Sequence, residues 1–146
     1  FIIGDGPEKV RLQKYSHQLN LDNVFFFSPL LQNELINFSK QADAFIFTML
    51  PLRNLFKYGI SFNKIFTYLS LSRPIIYASC ASYNPLDEFN LGIKSKSMCP
   101  ESMAEAIKKF MNKSHSDRSK MARDGFEYVS KYFSYENLAN TLDELL

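Results

Sequence analysis

Apolar residues in this chain come in short bursts of three to seven positions, separated by glycine, proline and polar turns, and between the bursts they recur at helical spacing. Bursts of that length are too short for helices and fit strands buried in a parallel sheet. The first is Phe1-Ile2-Ile3, followed by the turn Gly4-Asp5-Gly6-Pro7, with Pro7 suited to the first position of a helix and Leu12, Tyr15 and Leu19 forming its inner stripe. Residues 24–27 form the second strand, ended by Ser28-Pro29-Leu30. Asn33 is the expected N-cap of a helix carrying Leu35 and Ile36. A third strand covers residues 44–50 and stops at Pro51. After a loop over residues 52–58 comes a helix whose Phe62, Ile65, Phe66 and Leu69 lie at i, i+3, i+4 and i+7 and should pack inward, leaving Lys64 off the stripe. Residues 74–78 form the fourth strand. A short helix over 85–89 and a turn at Gly92 follow, then a helix opened by Pro100 with Met103, Ala104, Ile107 and Met111 on one face. The pattern closes with a helix capped by Asp117 and another capped by Ser134 with Leu138, Leu142 and Leu145 inward, after a polar hinge at 112–116.

Four short strands alternating with helices predict right-handed crossovers and an open, doubly wound parallel α/β sheet with helices on both faces. In such sheets ligands bind beyond the carboxyl ends of the strands. The loops predicted to lie there are 4–7, 28–30, 51–61 and 79–84.

Composition changes this picture little. With 146 residues, 46% of them hydrophobic, the chain suits one domain able to bury roughly 70% of its unfolded surface. Fourteen Phe and eight Tyr without Trp point to an aromatic core. No apolar run nears the ~20 residues of a membrane span. A net charge of +2 gives no basic face of the kind nucleic acid requires. Cys80 and Cys99 are isolated, which speaks for two reduced thiols and no metal site. His17 and His115 stand among polar residues and are expected to be solvated. Because Phe1-Ile2-Ile3 reads as the middle of a strand, the sequence is expected to be a piece of a longer protein.

One stretch carries candidate chemistry. Residues 58–69 (YGISFNKIFTYL) place a glycine, small and polar residues and then a lysine at the start of an amphipathic helix. Gly59 permits close backbone approach, Ser61 can cap, and first-turn N–H groups point toward an anion. An ordinary buried helix with a surface lysine would show the same spacing. The Gly4-Asp5-Gly6 turn alone is weak evidence for a nucleotide.

The segments FIIGDGP (1–7), NVFFFSPL (23–30), Ala42-Asp43-Ala44, YGISFNKIFTYLSLSRPII (58–76), AEAIKKF (104–110) and Asn137-Leu138-Ala139 occur in the order seen in GT-B glycosyltransferases. The chain resembles the carboxyl-terminal, nucleotide-sugar-binding half of family 4 enzymes, over essentially its whole length. The resemblance implies a sugar transferase acting in bacterial surface polysaccharide synthesis, with this chain as a partial donor-binding domain spanning 1–146 and no metal or other cofactor. Gly59, Ile60 and Ser61 would meet the donor's diphosphate and sugar through their amides, with Lys64 as a nearby cation, while Ser28 and Leu30 would belong to the base-binding loop and Gly4, Asp5 and Gly6 to a strand-end loop. An amino-terminal acceptor domain and the first strand of this half are expected to be missing, leaving a gap between the strands at Phe1 and Ala44. The implied location is cytoplasmic, at the inner membrane face where the acceptor is lipid-linked. The family's motif carries a spaced pair of glutamates; here Gly59 and Thr67 occupy those positions, and Thr67 falls where ribose is normally held. A charge-assisted hydrogen bond contributes roughly 1.5–3 kcal/mol against about 1 for a neutral one, so weaker ribose binding is expected. The isolated piece should bind a donor in the millimolar range and turn over nothing. A degenerate, non-catalytic module remains the alternative; a phosphoacceptor receiver fits less well, since among these strand ends only Asp5 offers a carboxylate.

Overall fold

The computed structural model describes residues 1–60 and 63–146, so Ser61 and Phe62 lie outside the described residues. The chain forms two compact units, Phe1–Gln41 and Ala42–Leu146. Each is taken by itself.

The first unit is one βαβ turn followed by a helix: β1 (Ile2–Ile3), α1 (Lys9–Gln18), β2 (Phe26–Phe27) and α2 (Gln32–Ser39). β1 and β2 are parallel, with Ile2 opposite Phe26 and Ile3 opposite Phe27. The rings of Phe1, Phe25, Phe27 and Phe38 lie 5.4–5.8 Å apart in their contacting pairs, the spacing of favourable aromatic pairs. The second strand is less covered than its composition predicts: Phe26 is half-buried, whereas Phe25 and Phe27 are exposed. Pro7 stands ahead of the helix, not at its first position. It is the second residue of a turn closed by the Lys9 amide on the Gly6 carbonyl at 3.0 Å, a place its fixed φ suits, and Glu8 is the N-cap. The inward face of α1 holds Lys9, Leu12 and Ser16, while Tyr15 and Leu19 are exposed. In α2 the N-cap is Leu31, because Glu34 reaches back to accept its amide at 3.0 Å, half of the usual capping exchange. Asn33 therefore lies inside the first turn.

The second unit contains β3 (Phe45–Thr48), α3 (Asn63–Ser70), β4 (Ile75–Ala78), α4 (Pro85–Glu88), β5 (Gly92–Ser95), α5 (Pro100–Met111), α6 (His115–Tyr132) and α7 (Tyr135–Leu145). Its strands run parallel in the order β3-β4-β5. β4 is buried at all four positions, as its unbroken apolar run requires. Alternation along it sends Ile75 and Tyr77 into a core with Phe47, Ile65, Leu69, Leu86, Leu91 and Tyr128, and Ile76 into a second core with Ile93, Ala106 and Phe110. Helices thus cover both faces of this sheet, α3 and α6 contributing to the first core and α5 to the second.

β5 is a strand where the sequence predicts only a turn. Its residues, GIKS, include a single large apolar side chain, Ile93, which with Ser95 is one of its two buried positions. Gly92 is there for space: a Cβ would sit 2.4 Å from the Ile75 carbonyl oxygen and 3.0 Å from the Tyr77 ring. The buried stripe of α5 is Met103, Ala106, Ile107 and Phe110, so Ala104 and Met111 face solvent. Ser114, not Asp117, caps α6; its Oγ accepts the Asp117 amide at 3.1 Å and donates to the Asp117 carboxylate at 2.8 Å. Ser134 caps α7 as expected. Leu138, Leu142 and Leu145, expected inward, are exposed.

Candidate functional site

In the second unit two loops leave the carboxyl ends of neighbouring strands, residues 49–60 after β3 and 79–84 after β4. They are laced together. The Ser82 amide donates to the Phe56 carbonyl at 3.3 Å and the Ile60 amide to the Tyr83 carbonyl at 3.2 Å, and the Ser82 hydroxyl donates to the Lys57 carbonyl. Gly59 takes φ +107°, a conformation strained for any residue with a Cβ. A Cβ there would stand 3.0 Å from that of Tyr83. Ile60 then drops into the first core.

The far side of this loop pair is fixed as well. Asn84 is buried and its Oδ1 accepts the Leu86 amide at 3.0 Å, capping α4. Burial first, then the neighbouring Tyr83, pushes the pKa of Tyr128 on α6 up to about 12. Tyr83 holds the glycine turn in place, its carbonyl accepting from Ile60 and its side chain lying against Gly59, yet nothing in a polar loop marks it for that part.

The expected phosphate-binding atoms fall out differently. The amides of Gly59 and Ile60 already donate to carbonyls, Gly59 to Phe56 at 3.1 Å and Ile60 to Tyr83. The reason is the lacing itself, which orders the loop through those two donors. Ser61 lies outside the described residues. Lys64 is exposed in the first turn of α3, where its charge is available to an anion. Thr67 is exposed one turn further along, and its hydroxyl donates to the Asn63 carbonyl at 3.0 Å, the usual back-bond of a helical threonine. Its lone pairs remain to accept, but its proton is engaged. The loops 49–60 and 79–84 and the first turn of α3 contain three cations, Arg53, Lys57 and Lys64, and no carboxylate, while Arg73 stands ahead of β4 at the other end of that strand. Among the described residues, these loops carry charge that can attract phosphate and no acidic acceptor for a hydroxyl.

In the first unit, Gly4 takes φ +143° and its amide donates to the Phe27 carbonyl at 3.2 Å. Lys9, a largely buried lysine, donates to that carbonyl at 3.0 Å and stands 3.7 Å from Asp5. Asp5, Gly6 and Ser28 are exposed and Leu30 is half-buried. In the sequence the one mark of Lys9 is its place two residues after the GDGP turn. Cys80 and Cys99 are free thiols, and among the described residues no cluster of three metal-ligating side chains occurs.

No family model and no curated protein matches this sequence. Solved structures do match its fold. Sucrose-phosphate synthase from Thermosynechococcus elongatus superposes with a TM-score of 0.75 at 17% identity, covering 98% of this chain and 36% of that one. WaaG, a glycosyltransferase involved in lipopolysaccharide biosynthesis, gives 0.68 at 16% identity with the same two coverages. The fold is that of a Rossmann-like half of a GT-B structure, and the chain spans about a third of the length of each.

Proposed function

We propose that this chain is the nucleotide-sugar-binding half of a glycosyltransferase, which transfers a sugar from a nucleotide diphosphate donor to a glycan or lipid-linked acceptor in bacterial surface polysaccharide synthesis. One observation carries the reading: the carboxyl ends of β3 and β4 are capped by two hydrogen-bonded loops that contain no carboxylate, and Lys64 is exposed in the first turn of the helix that follows them. Transfer leaves charge on the departing diphosphate. A cation and first-turn amides, held in advance by the lacing of Gly59 and Ile60, stabilise that charge without reorganisation. Acceptor binding belongs to the remainder of such an enzyme, as the expected amino-terminal domain.

The test is a titration of the full-length protein with nucleoside diphosphates, followed by amide chemical shifts. Saturable shifts in residues 63–67, weakened several-fold or more by Lys64→Gln, support the proposal; no shift with any nucleoside diphosphate sinks it.

A second reading, a non-catalytic module of the same fold kept for assembly, is favoured by Thr67, whose hydroxyl is bound into its own helix where an acidic acceptor would be useful. If Thr67→Glu in the full-length protein leaves donor affinity unchanged, this second reading gains.

A further inference from the structure

A cavity of about 430 Å³ opens beside β5, lined by Tyr77, Asp87, Asn90, Gly92, Lys94, Lys109, Lys113 and their neighbours. Its volume is within the usual range of small-molecule sites. Asn90 and Gly92 stand just before and at the start of β5, and Lys109 and Lys113 come from the last turn of α5 and just beyond it. A helix packed after a parallel strand runs back along it. The cavity therefore lies toward the amino-terminal edge of this sheet, away from the loops that carry Gly59 and Lys64.

Its charge is one-sided. Asp87 is the single carboxylate in the lining, and both its oxygens are taken, one by the Tyr77 hydroxyl at 2.8 Å and one by Lys94 at 2.8 Å. Among the described residues neither Lys109 nor Lys113 has a carboxylate partner. Two unneutralised ammonium groups thus face a space that already has an orienting network of Tyr77, Asp87 and Lys94, with the Asn90 amide at its rim. We infer that this cavity binds the phosphoryl group of a phosphorylated small molecule, with Lys109 and Lys113 as its charge partners. Lysine serves phosphate as a compact point charge with rotatable donors, which suits an open cavity better than a rigid fork.

The experiment titrates the full-length protein with inorganic phosphate and, separately, pyrophosphate at constant ionic strength, with chloride as the control anion, reading backbone amide shifts. The expected result is a saturable shift at Asn90, Gly92 and Lys94 that chloride does not reproduce. Lys109→Gln with Lys113→Gln should weaken it by about tenfold or more, while Lys64→Gln leaves it unchanged. Both lysines can be tested singly, and circular dichroism checks that each variant is folded. Shifts that chloride reproduces, or equal affinity in the folded double variant, overturn the inference. Neither outcome depends on whether Lys64 binds a donor.

Discussion

The Ile60 amide donates to the Tyr83 carbonyl at 3.2 Å, and with it the loop leaving β3 is fastened to the loop leaving β4. The residue before that amide, Gly59, lies against Tyr83 so closely that its missing side chain is part of the contact. The glycine thus acts through fit and conformation, and under the proposed function the attraction of phosphate falls to Lys64.

Gly59→Ala is accordingly expected to destabilise the protein by about 1–3 kcal/mol, the usual range for a residue held at a disfavoured φ. Thermal or urea unfolding measures it. Gly6→Ala serves as the control, since nothing lies within 4 Å of a Cβ there, and its effect should be within about 0.5 kcal/mol.

Gly92→Ala should be the more damaging change. Its Cβ would meet the Ile75 carbonyl, which is backbone of the central strand and cannot swing aside. A loss of about 3 kcal/mol or more, or failure to fold, is expected. A variant as stable as the parent would refute the close approach between β4 and β5.

The Tyr77–Asp87 hydrogen bond predicts an asymmetry. Asp87→Ala leaves the Tyr77 hydroxyl inside the fold without its acceptor, which costs about 1–3 kcal/mol. Tyr77→Phe removes donor and need together and should cost less. A double-mutant cycle unfolded in urea would show coupling of about 1 kcal/mol, and its absence would mean the bond contributes nothing to stability.

Alkaline titration should reveal Tyr128. Its pKa is raised to about 12 by burial and the Tyr83 hydroxyl, against about 10 in an unfolded chain. The folded state keeps a proton that the unfolded state releases. The contribution is therefore fully present below pH 10 and is lost as pH rises toward 12, by roughly 2–3 kcal/mol. Tyr77, raised by burial first and then by Asp87, acts in the same direction. Tyr128→Phe should flatten part of this decline in urea midpoints measured between pH 9 and 12.

The sequence makes the long apolar runs legible. β4 needs no partner to be recognised, because residues buried on both faces are apolar throughout, and the Ser134 cap and Ile65–Leu69 stripe are local signals. What it hides is set by tertiary contact. β5 has one large apolar residue in four, too few to show as a run, so Gly92 resembles a turn when its function is clearance. The stripe of α5 shifts by a fraction of a turn because Ala106 and Phe110 meet Ile76 and Ile93, a choice of neighbours that periodicity does not contain. At the candidate site, glycine and lysine were visible, but the engagement of the Gly59 and Ile60 amides depends on Tyr83, more than twenty residues later in the sequence.

Helix α6 reaches both cores, with Met121 against the cluster of Ile76 and Phe110 and Tyr128 within that of Ile65 and Leu69. Gly125 lets it approach Leu69 between those two points. The sheet's two faces therefore share one latch. Undocking α6 takes a wall from each core while α3 and α5 stay on the sheet, so a protease that nicks the chain between α5 and α6 should loosen the Met121 and Tyr128 contacts together.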